Sequence, residues 1–82
     1  MGKEEILQKI GAIMTDFYKL ENFVCHENIA VGDVEAWNSF SHLPLMQKIE
    51  ESFSVRFSFM EITDFNTLGD IADCIHLKLS VF

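Results

Sequence analysis

Three stretches of this chain repeat apolar residues at the three- and four-residue steps of one helical face. They are Ile6, Ile10, Ile13, Met14 and Phe17; Phe40, Leu43, Met46, Ile49 and Phe53; and Leu68, Ile71, Ala72, Ile75 and Leu79. A chain of 82 residues has room for one small core, so the three stripes must face one another. The spacing predicts helices over 3–19, over about 39–53, and from a Thr67 cap onward. Asp70, three residues after Thr67, completes a capping box with the shorter acid. Residues 59–64 add one or two further helical turns. The alternating segment Ser54–Phe59 has the period of a strand but no partner strand, and reads as an extended connector. Residues 20–38 form a long connection that Phe23, Val24, Ile29, Val31 and Val34 can pin to the bundle. Gly11 lowers the propensity of the first helix by about 1 kcal/mol against Ala, tolerable where packing holds the helix. The end Ser80-Val81-Phe82 suits either packing on the core or a ragged terminus. The expected fold is all-α, a single domain over 1–82 with three main helices and one short one.

Charge narrows the partners. The formal net charge is −7, and residues 1–20 balance, so the whole excess lies beyond the first helix. A field of that sign repels nucleic acid and attracts basic protein surfaces. No apolar run approaches the ~20 residues of a membrane-spanning helix. Met1-Gly2-Lys3-Glu4-Glu5 opens without the apolar segment of a secretory signal, and Ile6-Leu7 stands where a myristoylation pattern wants Ser or Thr. Two cysteines in that setting point to reduced thiols in a cytoplasmic protein. Cys74 lies beside the apolar face of the last helix; Cys25 falls in the long connection, a position compatible with exposure.

The run Trp37-Asn38-Ser39-Phe40-Ser41-His42 places a serine where the acidic connection gives way to the second helix. A hydroxyl there sits among unpaired backbone N–H groups at the positive end of the helix dipole, surroundings that suit a phosphate ester. Pro44 complicates the helix start: with Asn38 as cap it falls in the second turn, so either the helix bends or its regular part starts near Ser41.

The same run resembles the Asp-Ser-Leu attachment motif of acyl carrier proteins, in the form with Trp before the Asp and His three residues after the Ser. The likeness continues through Ile49-Glu50-Glu51-Ser52-Phe53 and through Thr67-Leu68-Gly69-Asp70-Ile71-Ala72-Asp73-Cys74-Ile75, covering about residues 29–79. Asn38 stands where the family usually has Asp, and Phe40 where it usually has Leu; Asn caps a helix about as well as Asp. The resemblance implies an acyl-carrier-like four-helix bundle that does no chemistry of its own. It implies 4'-phosphopantetheine from coenzyme A on Ser39, attached by a phosphopantetheinyl transferase, with Asn38, Phe40 and His42 flanking the arm. It also implies a monomer that presents acyl thioesters to enzymes with basic docking surfaces, through Glu50, Glu51, Met46, Phe59 and Ile62.

Other chemistries fit the residues less well. A serine hydrolase using Ser39 and His42 lacks a third group to orient the base and a strained turn for the nucleophile. Cys25, His26, His42, Cys74 and His76 have no metal-ligand spacing, and His76 is expected on a wet face of the last helix. Glu50 and Glu51 point to different sides of their helix and form no acid–base pair. Two alternatives to the acyl carrier stay open: an aminoacyl or D-alanyl carrier, and an unmodified acidic helical adaptor in which Ser39 is only structural.

Overall fold

The computed structural model of the chain describes residues 2–80, and the Val81-Phe82 end lies outside them. Four helices follow in order: α1 (Lys3–Tyr18), α2 (His42–Phe53), the short α3 (Phe59–Asp64) and α4 (Leu68–Ser80). The protein is a small all-α bundle in which α1 packs against α4 and α2.

Each end of these helices has a local cause. Thr67 Oγ1 accepts the Asp70 N–H at 3.1 Å while Asp70 Oδ2 accepts the Thr67 N–H at 3.1 Å, the reciprocal box that starts α4. Ser58 and Glu61 do the same for α3. α1 and α2 end on Lys19 and Ser54 in the left-handed conformation, whose N–H groups return to the Thr15 and Glu50 carbonyls. Glu50 Oε2 also accepts the Phe57 N–H at 2.7 Å, folding the 54–58 connector back under α2.

The buried faces are narrower than the sequence stripes. Ile6, Ile10 and Met14 of α1 are fully buried, whereas Ile13 is partly covered and Phe17 is exposed. They meet Leu45, Met46 and Ile49 of α2 and Leu68, Ile71, Ala72 and Ile75 of α4 in one core. The Lys9 ammonium sits 5.0 Å over the Phe53 ring at the α1–α2 seam. His76 is half-buried on α4 rather than on a wet face: its Nδ1 is enclosed and has no partner among the described residues.

The long connection is pinned by Ile29 and Trp37, with Phe23, Cys25 and Val34 partly covered; Val24 and Val31 face outward. It crosses both long helices at glycines. A Cβ on Gly11 would lie 2.7 Å from the Cys25 Cβ, and one on Gly69 would lie 2.9 Å from the Glu27 Cβ. Ile29 and Glu27 carbonyls accept the Leu68 and Gly69 N–H groups at 2.9 and 3.0 Å, so the connection also caps α4. Gly11 is therefore a crossing point. Gly11→Ala is expected to destabilise the protein in urea titrations despite the ~1 kcal/mol that Ala adds to an isolated helix.

Both thiols are free, and neither is fully exposed. Cys25 donates to the Leu7 carbonyl at 3.1 Å, and burial raises its pKa. Burial, then the Glu61 carboxylate beside it, push Cys74 from 9.0 up to about 11. That change lowers the thiolate fraction of Cys74 at neutral pH by roughly 100-fold. Alkylation of native protein at neutral pH should label Cys74 roughly 10-fold slower than a model thiol, since the more basic thiolate is the better nucleophile, and unfolding should remove the difference.

Candidate functional site

Trp37 anchors the start of the second helix. Its side chain is fully buried, its backbone N–H donates to the Val34 carbonyl at 2.9 Å, and its carbonyl accepts the Gly32 N–H at 3.0 Å. From that fixed point Asn38 turns the chain. Its Oδ1 accepts the Phe40 and Ser41 N–H groups at 2.9 and 3.2 Å, and its carbonyl accepts the His42 N–H at 3.0 Å. Asn38 thus closes the turn that leads into the helix, whose N-cap is Ser41 and not, as the sequence predicts, Asn38.

The regular helix starts at His42, not near residue 39, which is the second of the two outcomes left open by Pro44, a regular part that starts near Ser41. Pro44 is the reason. It has no N–H for the Phe40 carbonyl, and a helix starting at His42 keeps it in the first turn, where none is needed. Ser39 consequently lies in the turn that precedes α2.

The two serines of this turn differ sharply. Ser41 Oγ donates to the Ala36 carbonyl at 2.6 Å and accepts the Asn38 N–H at 3.1 Å. A hydroxyl has one proton, so Tyr18 is the donor in its 2.9 Å contact with Ser41. Ser41 thereby locks the turn to α1. Ser39 is exposed, and neither its hydroxyl nor its N–H has a partner among the described residues. Only Ser39 offers a free hydroxyl at this point.

His42 is committed elsewhere. Trp37 Nε1–H is a donor only, so His42 Nδ1 must accept it at 3.0 Å; Nε2 then carries the proton and donates to the Ile62 carbonyl at 2.9 Å. The indole and imidazole lie edge to edge, with centroids 6.0 Å apart and planes 22° from parallel, as the in-plane hydrogen bond requires. His42 is half-buried and straps α3 to the start of α2. Neither ring nitrogen is left for an arm on Ser39 or to serve Ser39 as a base, which corrects its expected place beside the arm.

The residues expected to dock partners divide. Met46 is fully buried and Ile62 is 9% exposed, so both belong to the core. Met46 falls in the buried face with Leu45, Ile49 and Phe53, and Ile62 is the residue by which α3 rests on the bundle. Glu50 is half-buried and occupied by the connector; Glu51 is exposed. Phe59 remains outside at 76% exposure, as does Phe40 at 91%. Sequence reasoning missed two companions, Leu43 at 47% and Met60 at 73%. The His42–Ile62 strap brings the segments that carry Phe40, Leu43, Phe59 and Met60 together. The ion pairs, Lys3 with Glu27 and Asp73 and Lys78 with Glu61, involve α1, the long connection, α3 and α4. Glu35, Glu51 and Asp64 have no cationic partner among the described residues.

No group of three His, Cys, Asp or Glu among the described residues is placed to hold a metal ion, and no described helix is long and apolar enough to cross a membrane. An open recess lined by Gln47, Glu50, Glu51, Ser54, Val55, Arg56 and Phe57 lies at the far end of α2. A helix of 12 residues is about 18 Å long, so that recess is remote from Ser39. Compared with protein-family models, curated proteins and solved structures, the chain matches none.

Proposed function

We propose that this protein is a stand-alone carrier, modified on Ser39 by 4'-phosphopantetheine and carrying acyl groups between cytoplasmic enzymes. One observation carries the reading: in the Trp37-Asn38-Ser39 run that resembles the carrier attachment motif, the exposed hydroxyl of Ser39 is unpaired while that of Ser41 is fully engaged. A transferase needs an oxygen it can reach, and Ser39 supplies one on a turn held rigidly from both sides. Modification would form the Ser39 Oγ–P bond as the pyrophosphate of coenzyme A breaks; the adenosine bisphosphate half leaves and the serine proton passes to a base of the transferase. The thiol of the bound arm would supply thioester chemistry. The chain's own residues position it: Asn38 holds the turn, Trp37 and Ser41 fix it to the body, and His42 keeps α3 alongside.

Docking would use the exposed Phe40, Leu43, Phe59 and Met60, with Glu51 and Asp64 offering negative charge to basic rims on partner enzymes. Contacts of that kind are screened by salt and release readily, which suits a shuttle. The same surface would serve an aminoacyl carrier, or an unmodified adaptor.

Intact-mass spectrometry after incubation with coenzyme A and a broad-specificity phosphopantetheinyl transferase tests the reading. The expected result is one added phosphopantetheine on the parent protein and none on Ser39→Ala. A parent that gains no mass favours the adaptor, and competition between acyl- and aminoacyl-loading enzymes for the modified protein separates the two carriers.

A further inference from the structure

Asn38 does more here than shape a turn. Its Oδ1 accepts two backbone N–H groups, from Phe40 at 2.9 Å and Ser41 at 3.2 Å. Only the oxygen of an amide can accept, so the NH2 end is fixed on the opposite side of the side chain. That end has no partner among the described residues, and Asn38 is exposed.

The same bonds change what an anion at Ser39 would meet. The Phe40 and Ser41 N–H groups are taken by Asn38 Oδ1, and the His42 N–H by the Asn38 carbonyl. They are the donors that the turn around Ser39 would otherwise offer an anion at the approach to α2. What remains free among the described residues is the Asn38 amide and the N–H groups of Ser39 and Leu43.

We infer that Asn38 Nδ2 donates directly to the phosphate of the arm on Ser39, replacing the backbone donors that its own oxygen has consumed. The inference rests on the carrier reading and concerns a residue that departs from the family's usual Asp. An Asp would cap equally well, but its second oxygen has no proton to donate, and it would set a negative charge beside the phosphodiester.

The test compares unmodified and modified protein, both labelled with nitrogen-15, by NMR. On modification one Asn38 side-chain N–H proton should move downfield and exchange more slowly with solvent. Asn38→Asp, which keeps the cap, should fold normally. Its modified form should melt below its unmodified form, whereas modification of the parent protein produces no such drop. If the Ser39 N–H signal shifts on modification while the Asn38 side-chain signals stay unmoved, the inference is overturned and the carrier reading stands. A melting temperature that falls equally in parent and Asn38→Asp on modification overturns it in the same way. A parent protein that takes up no phosphopantetheine removes both.

Discussion

Trp37→Ala is expected to lower the unfolding free energy by about 3–5 kcal/mol, the range for deleting a fully buried large aromatic. Domains of this kind hold only about 5–15 kcal/mol in total, so the variant should lose a large fraction of its stability. Trp37 is the largest of the fully buried side chains and the only one among them contributed by the long connection. Its loss leaves a cavity between the connection, α2 and the core, and removes the N–H that fixes His42. Urea titration followed by far-ultraviolet circular dichroism measures the change without relying on tryptophan emission. A loss below about 1 kcal/mol would mean that the 20–41 connection is not clamped at this point.

His42→Leu should cost about 1–3 kcal/mol, because a side chain of similar bulk leaves a buried polar group without its partner. The stranded group is the Trp37 indole N–H, on a fully buried residue; the Ile62 carbonyl loses the imidazole and keeps only the Phe65 N–H at 3.4 Å. Removing one end of such a pair is worse than removing both. The cost of His42→Leu should therefore shrink in a Trp37→Phe background, where no indole N–H is left to strand. Hydrogen exchange should quicken first in α3, which the ring straps to α2. Equal costs in the two backgrounds would contradict the Trp37–His42–Ile62 chain of hydrogen bonds.

Two of the helices were readable from sequence because their stripes keep the helical period through mixed three- and four-residue steps. Ile6, Ile10 and Met14 do so in α1, and Leu68, Ile71, Ala72 and Ile75 in α4. The second stripe misleads in its first half. Phe40, Leu43, Met46 and Ile49 advance by threes alone, and each such step drifts about 60° around a helix of 3.6 residues per turn. Over three steps Phe40 and Leu43 are carried off the buried face that Leu45, Met46, Ile49 and Phe53 occupy. Of the two start signals in the same segment, Pro44 delays the regular helix to His42 with Ser41 as its N-cap, and Asn38 holds only the turn before it.

Within the site, the exposure of Ser39 was legible as a serine at the edge of a helix. Its contrast with Ser41 was not, since Tyr18 and Ala36 meet Ser41 only after α1 packs against α2. His42 looked like a free surface imidazole for the same reason: its partners are an indole five residues back and a carbonyl twenty residues on. Gly11 and Gly69 are explained by the connection that crosses them, a path no local signal encodes.

Attachment is proposed at the hydroxyl of Ser39 and not at that of Ser41. Fragmentation of the peptide spanning Trp37–His42 from enzymatically modified protein tests it most directly. Phosphopantetheine is expected wholly on Ser39, with Ser41 unmodified even when Ser39 is replaced by Ala. An ester on Ser41, or a peptide that remains unmodified after exhaustive treatment, would contradict it.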